Sequence, residues 1–281
     1  MTTLLKTPAH PKTARLNQLT QLIDRELERL LPRASAAPQM VHEAMRYCVL
    51  SGGKRFRPLL CLGACEAVGG VARQAMSVAC ALELIHAYSL VHDDLPAMDN
   101  ADERRGQPSC HRKFGEGNAI LVGDALLTFA FELLSRHGTA NALEIIRTVG
   151  AACGTTGLIG GQVLDLQAIS QPRTAGERTL REIAERKTAA LINASVLAGG
   201  LAAKASAVAL KKLQRYGQSI GVAFQLIDDA HDRDGLAQVM GTELACAEAR
   251  RLIDESADAL KPFGKRAEVL RQLSAWLAST S

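Results

Sequence analysis

Proline placement constrains this chain more than any other feature. The nine prolines stand at positions 8, 11, 32, 38, 58, 96, 108, 172 and 262 of 281, leaving 109–171 and 173–261 free of them. Proline removes a backbone donor and clashes with the preceding turn, so proline-free runs of that length read as long helices. Apolar residues recur at helical spacing over 16–31, at Leu16, Leu19, Ile23, Leu27 and Leu30. The same periodicity predicts helices over 41–50, over 59–94 with a break at Gly69-Gly70, and over 118–134, 142–167, 179–201, 208–229 and 244–260. No window alternates as a half-buried strand does, and 4% aromatics is low for a sheet protein. The reading is a single all-α domain over 1–281, a large helical bundle with room for a central apolar cavity.

Composition narrows the function classes. With 47% hydrophobic and 22% charged residues the chain can bury a core, which excludes disorder as its main state. A net charge of +4 is too small to argue for nucleic-acid binding. The seven cysteines are an odd number with no CxxC pair, which reads as reduced thiols rather than zinc ligands or a disulfide framework. Lys6, Pro8, Pro11 and Lys12 break up the N-terminus, so no signal peptide is expected. Charges interrupt the long apolar stretches below the roughly 18 residues that a membrane span needs. The expectation is a soluble, cytoplasmic protein.

Three constellations stand out. In the first, Asp93, Asp94 and Asp99 surround Pro96, with Arg104-Arg105-Gly106 following. Pro96 should end the preceding helix near Asp94, leaving carboxylates at a helix C-terminus that is already negative. A cation between the acids would relieve this; a solvated acidic loop is the plainer alternative. The second is Asp228-Asp229-Ala230-His231-Asp232, where Asp228 and Asp232 share a helix face one turn apart and repel unless a cation binds. The third is Gly52-Gly53-Lys54-Arg55-Phe56-Arg57-Pro58, which crowds cations at a helix start. A helix start already attracts anions, so an anion is implied there, with a surface turn as the alternative. The spacing is not that of a Walker loop. Together, two acidic cradles and separate basic clusters describe a site for two polyphosphate substrates, with hard Mg²⁺ held by carboxylates and substrate phosphates.

On these motifs the sequence resembles the trans-prenyl diphosphate synthases, closest to the bacterial farnesyl diphosphate synthases. Asp93-Asp94-(four residues)-Asp99 with Arg104-Arg105-Gly106 is similar to the family's first aspartate-rich motif, and Asp228-Asp229-(two residues)-Asp232 to its second. Gly123-Asp124-Ala125-Leu126, Gly161-Gln162-Val163-Leu164-Asp165 and Lys187-Thr188 match further signatures. The resemblance implies that Lys54, Arg57, His86 and Arg105 hold isopentenyl diphosphate. It implies that Arg104, Lys187 and Gln225 contact an allylic diphosphate (dimethylallyl, geranyl or farnesyl), with Thr188 at the reacting carbons. Asp93, Asp94, Asp99, Asp228, Asp229 and Asp232 would be magnesium ligands or their water-bridged partners, supported by Asp165 and Gln162. Tyr88, with Ser89, would floor the cavity and stop growth at fifteen carbons, with a twenty-carbon product ranked second. The resemblance also implies a homodimer.

One departure is visible. The family pattern continues past its second aspartate motif with a lysine-bearing loop, then a Lys-Thr-Tyr-Pro-like stretch. Here 232–241 runs almost directly into the next helix, which keeps open a low-activity or regulatory subunit. A terpene cyclase or head-to-head synthase would have little use for Lys54, Arg57 and Arg105. A di-iron bundle would need a second copy of Glu83-Leu-Ile-His86, which the sequence lacks.

Overall fold

The computed structural model describes residues 13–136, 138, 141–170 and 176–280; the readings of Lys6, Pro8, Pro11, Lys12 and Pro172 fall outside them. α1 (Ala14–Leu30) opens where the Thr13 hydroxyl accepts from the Leu16 amide, and it buries Leu16, Leu19, Ile23 and Leu27. α2 (Gln39–Leu50), α3 (Phe56–Ala67) and α4 (Ala72–Asp93) follow. α4 is buried around most of its girth, and it packs against α3 and against α6 (Glu116–Ser135).

Between α4 and α6 lies the one departure from an all-helical chain among the described residues. β1 (Glu103–Arg104) pairs antiparallel with β2 (Gln107–Pro108) across Arg105-Gly106. Both turn residues have positive φ, 57° and 73°, as a two-residue hairpin of the right twist requires. Two residues a strand are too short to show alternation, so the pair leaves no strand signal in the sequence. α5 (Cys110–Phe114) leads into α6.

The helix expected over 142–167 is two: α7 (Ala142–Cys153) and α8 (Leu158–Ser170). Gly154 and Gly157 make the turn between them, and a β-carbon at Gly157 would lie 2.0 Å from the Ala152 carbonyl oxygen. α9 (Glu177–Ile183) runs through a π-helical turn (Ala184–Ala189) into α10 (Ala190–Ala202). α11 (Ala207–Asp232) extends past the expected end at 229 and stops at left-handed Arg233. α12 (Gly235–Met240), α13 (Thr242–Leu260), a 3₁₀ turn (Lys261–Ala267) and α14 (Glu268–Ala278) complete the bundle. α13 starts at 242 rather than 244 and lies along α11. The core sits between α3, α4, α10 and α11.

The expectation about long apolar stretches needs correcting. α4, α6 and the run Ala142–Ser170 are long and apolar enough to cross a membrane by length and composition. Scattered charges do not prevent this, because a whole window stays apolar with two charges inside it. In α4, 72% of that window is buried within the protein, against 39% in α6 and 28% in the third. All seven cysteines are unpaired.

Candidate active site

The first acidic cluster forms where Pro96 stops α4. Asp94 caps the helix and is 2% exposed, and the Arg104 guanidinium donates to both of its carboxylate oxygens, with Nε at 3.1 and 3.2 Å. The amide of Asp99 donates to the Asp93 carbonyl at 2.9 Å, folding the loop back over the helix end. Burial pushes the Asp93 carboxyl up to about 6; Lys187 opposes this, while Asp99 and Asp94 add to it. The structure therefore leaves Asp93 and Asp99 open to a ligand and commits Asp94 to Arg104.

The second cluster is built by the last turns of α11. Desolvation, then Asp232, raises the Asp228 carboxyl; Lys54 and Arg57 pull it back. Asp229 is buried and turned inward: it accepts from Gln225 Nε2 at 2.6 Å and from the Leu236 amide at 2.8 Å. Burial pushes its carboxyl up to about 6 against those two hydrogen bonds. A β-carbon at Gly235 would lie 2.5 Å from Asp229 Oδ2, so the tight turn into α12 fits only glycine there. Asp234 joins this cluster, raised by desolvation and by Asp232, Asp228 and Asp165. The motif reading passed over Asp234, although the Asp232-Arg233-Asp234 run was the available signal.

Lys187 and Thr188 sit in the π turn, a bulge that redirects side chains and often marks functional positions. Two glycines let neighbouring helices close on it: a β-carbon at Gly161 would lie 2.3 Å from the Lys187 amide nitrogen, and one at Gly221 2.7 Å from Ala189 Cα. Lys187 Nζ is 2.6 Å from Asp165 Oδ2. The Thr188 hydroxyl donates to Gln225 Oε1, so Thr188, Gln225, Asp229 and the Leu236 amide form one chain of hydrogen bonds. Gln162 Nε2 is buried without a partner.

The basic cluster gathers around the entry to α3. Arg57 is 8% exposed with its Nε buried and unpartnered. Burial lowers its guanidinium to about 10, while Glu83 and Asp228 support the charge. Burial also lowers Lys54, whose ammonium lies 5.4 Å from the Trp276 ring centroid. Burial, and then the charges of Arg57, Arg105, Arg104 and Arg55, hold His86 well below its ordinary value. Arg105 donates to the Gly52 carbonyl and, at 3.4 Å, to Ser51 Oγ. Gly53 has φ of 138°, and a β-carbon there would lie 2.8 Å from the Arg105 guanidinium.

Tyr88 is 5% exposed, 5.8 Å from the His92 ring, with its hydroxyl buried and unpartnered. Ser89 turns back to donate to the His86 carbonyl at 2.9 Å. The predicted residues thus gather around two acidic helix ends, with the basic cluster coupled to Asp228 and Lys187 coupled to Asp93.

The donor set fits a hard divalent cation, because Asp93, Asp99, Asp228 and Asp232 offer only carboxylate oxygens whose mutual repulsion a cation relieves. Among the described residues no three acidic, histidine or cysteine side chains converge into a preformed cage. Magnesium suits that arrangement, since it is commonly held by one or two carboxylates with substrate phosphates completing the shell.

Known proteins carry the same frame. A geranylgeranyl diphosphate synthase from Cyanophora paradoxa is 42% identical over 245 residues, 83% of this chain and 80% of that protein. A dimethylallyltranstransferase from Fischerella ambigua is 40% identical over 266 residues, 86% and 77%. The crystal structure of an FPP/GFPP synthase from Zymomonas mobilis superposes with a TM-score of 0.89 at 36% identity, covering 94% of this chain and 97% of that one. Residues 38–246 match polyprenyl synthetase as a family, and with both acidic helix ends inside that span the chain belongs to the polyprenyl synthetases, a family of prenyltransferases.

Proposed function

We propose that the chain is a short-chain trans-prenyl diphosphate synthase that condenses isopentenyl diphosphate with an allylic diphosphate. The observation that carries this is the division of cations: Lys54 and Arg57 face Asp228, whereas Lys187 faces Asp93. Two separate cationic groups, each beside an acid, suit two diphosphates, and a single-substrate cyclase has no use for the second.

The allylic diphosphate lies at Lys187, which Asp165 holds in place. Its C–O bond breaks, the electron pair leaves with diphosphate, and Lys187 stabilises the charge that develops. Magnesium, when bound, would supply further stabilisation of the leaving diphosphate through Asp93, Asp99, Asp228 and Asp232. Thr188, fixed by Gln225, orients the allylic carbon. Lys54, Arg57 and Arg105, with His86, hold isopentenyl diphosphate so that its double bond attacks that carbon and forms the new C–C bond. The adduct then loses a proton to the released diphosphate, and no side chain need act as the base.

The names of the similar sequences favour geranylgeranyl diphosphate as product, which puts the twenty-carbon reading ahead of the fifteen-carbon one. Farnesyl diphosphate is retained as the second reading because the Tyr88 ring is buried one turn beneath Asp93. We also carry the cytoplasmic setting and the homodimer as proposals. For the dimer, the sparsely buried apolar faces of α6 and of Ala142–Ser170 expose Leu121 at 60% and Val163 at 49%, and a second copy would cover them.

The test is product analysis with labelled isopentenyl diphosphate and dimethylallyl, geranyl or farnesyl diphosphate, with and without magnesium. A magnesium-dependent twenty-carbon product supports the leading reading, and a fifteen-carbon product moves Tyr88 to the front. No product from folded protein would put the regulatory subunit first, in keeping with the short 232–241 connection.

A further inference from the structure

Arg55 is the cation between Lys54 and Arg57 for which the proposed diphosphate chemistry supplies no role. It is 3% exposed and occupies the cap of α3 with φ of 48°, a left-handed conformation that a β-carbon disfavours. Its guanidinium explains why the chain accepts that conformation. Nε donates to Asp24 on α1 at 2.7 Å, Nη1 to Glu83 on α4 at 2.6 Å, and Nη2 to the Val49 carbonyl on α2 at 2.9 Å. The Arg55 carbonyl accepts the first bond of α3, from the Leu59 amide at 3.0 Å. One side chain therefore ties three helices to the turn carrying Lys54 and Arg57. Its partner Glu83 lies three residues before His86, one helical turn away on the same face of α4.

We propose that Arg55 is a positioning residue: by spanning Asp24, Glu83 and the Val49 carbonyl it fixes the left-handed turn that carries Lys54 and Arg57, and so determines affinity for the diphosphate of the non-allylic substrate. Only a planar fork with several fixed donors can meet acceptors on three helices at once; a lysine ammonium is a point charge on a flexible stem. Glu83 is itself 3% exposed, so freeing either partner would leave a buried charge that drags the turn toward solvent. Asp24 is 47% exposed at its side chain, outside the proposed site, and its arm of the fork can be loosened without emptying the interior.

The inference rests on the proposed function for the identity of the anion, and its test reads binding separately from turnover. Arg55→Lys and Asp24→Asn are compared with the wild-type chain by calorimetry with isopentenyl diphosphate and with inorganic diphosphate, by steady-state kinetics varying each substrate in turn, and by thermal unfolding. Arg55→Lys is expected to raise Kd and KM for isopentenyl diphosphate about tenfold, with kcat and the allylic KM within about twofold. Asp24→Asn is expected to raise them about threefold, and it carries the test where Arg55→Lys does not fold. A lowered Tm with both KM values unchanged would reduce Arg55 to a structural tie and overturn the proposal, as would equal losses for both substrates. A wild-type chain that binds isopentenyl diphosphate yet forms no product removes the proposed function and leaves this binding comparison standing; one that binds neither diphosphate overturns the positioning role.

Discussion

Lys187 Nζ lies 2.6 Å from Asp165 Oδ2, joining the π turn to α8, and the same ammonium opposes the rise of the Asp93 carboxyl. One cation thus links α8 to the end of α4. If Asp165 serves to aim Lys187, Asp165→Asn should raise the KM for the allylic diphosphate several-fold while leaving that for isopentenyl diphosphate unchanged. Steady-state kinetics with each substrate varied checks this, and equal changes in both constants would show that Asp165 aims nothing.

Asp93 feels the charge of Lys187 and Asp228 that of Lys54 and Arg57, and neither carboxylate is tied up by an internal partner as Asp94 and Asp229 are. Asp93→Asn and Asp228→Asn should each lower kcat by about 10² or more, as loss of a preorganised charge-stabilising contact does. Circular dichroism should be unchanged. Asp94→Asn should act differently: it leaves the Arg104 guanidinium beside a neutral partner, so Tm falls as well as rate. Near-normal turnover in Asp93→Asn would remove the cation-binding assignment.

The pH dependence follows from the raised acids. Asp93 moves from an ordinary 3.8 to about 6 through burial first. Between those values the folded chain holds a proton that the unfolded chain has lost, so this carboxyl weakens the fold as pH rises from about 4 to about 6. In the metal-free protein, Asp93→Asn should therefore gain Tm relative to wild type across that window, by a few degrees at most because Asp93 is only half-buried. Magnesium and protons compete for the same oxygens, so the magnesium needed for half-maximal rate should climb as pH falls below about 6. A Tm difference that stays flat with pH would show that Asp93 is not raised.

Tyr88 carries a buried hydroxyl without a partner. Tyr88→Phe should leave the product unchanged and stabilise the protein by about 1 kcal/mol, because an unpaired polar group leaves the interior. Tyr88→Ala should cost about 3 kcal/mol as a cavity opens, and should lengthen the product by one or more five-carbon units if the ring is the floor. Chromatography of the labelled products decides it, and an unchanged length would remove Tyr88 as the stop.

Much of this arrangement was written locally. Pro96 ends α4 beside Asp93, and Thr13 with the Leu16–Leu27 spacing makes α1, because proline sterics, side-chain caps and helical period act within a few residues. The acidic and basic motifs were likewise legible, since like charges packed at helix ends call for a counter-ion wherever they occur. The sequence did not show the Gly154–Gly157 break, the hairpin at Arg105-Gly106, or the apolar length of α6. Glycine turns and two-residue strands leave no periodic signal, and averaged hydropathy tolerates single charges.

What only the tertiary structure decided is which members of each cluster face the site. Asp94 and Asp229 read like their neighbours, yet Arg104, Gln225 and the Leu236 amide, from 4 to 10 residues away, take up their oxygens. Arg55 reads as one more cation, yet Asp24 and Glu83, 31 and 28 residues distant, bury it as an internal tie. Sequence determines where charge is placed along the chain. Whether a charge is spent inside the protein or left for a ligand depends on the partners that folding brings within about 3 Å, because hydrogen bonding decays over that distance.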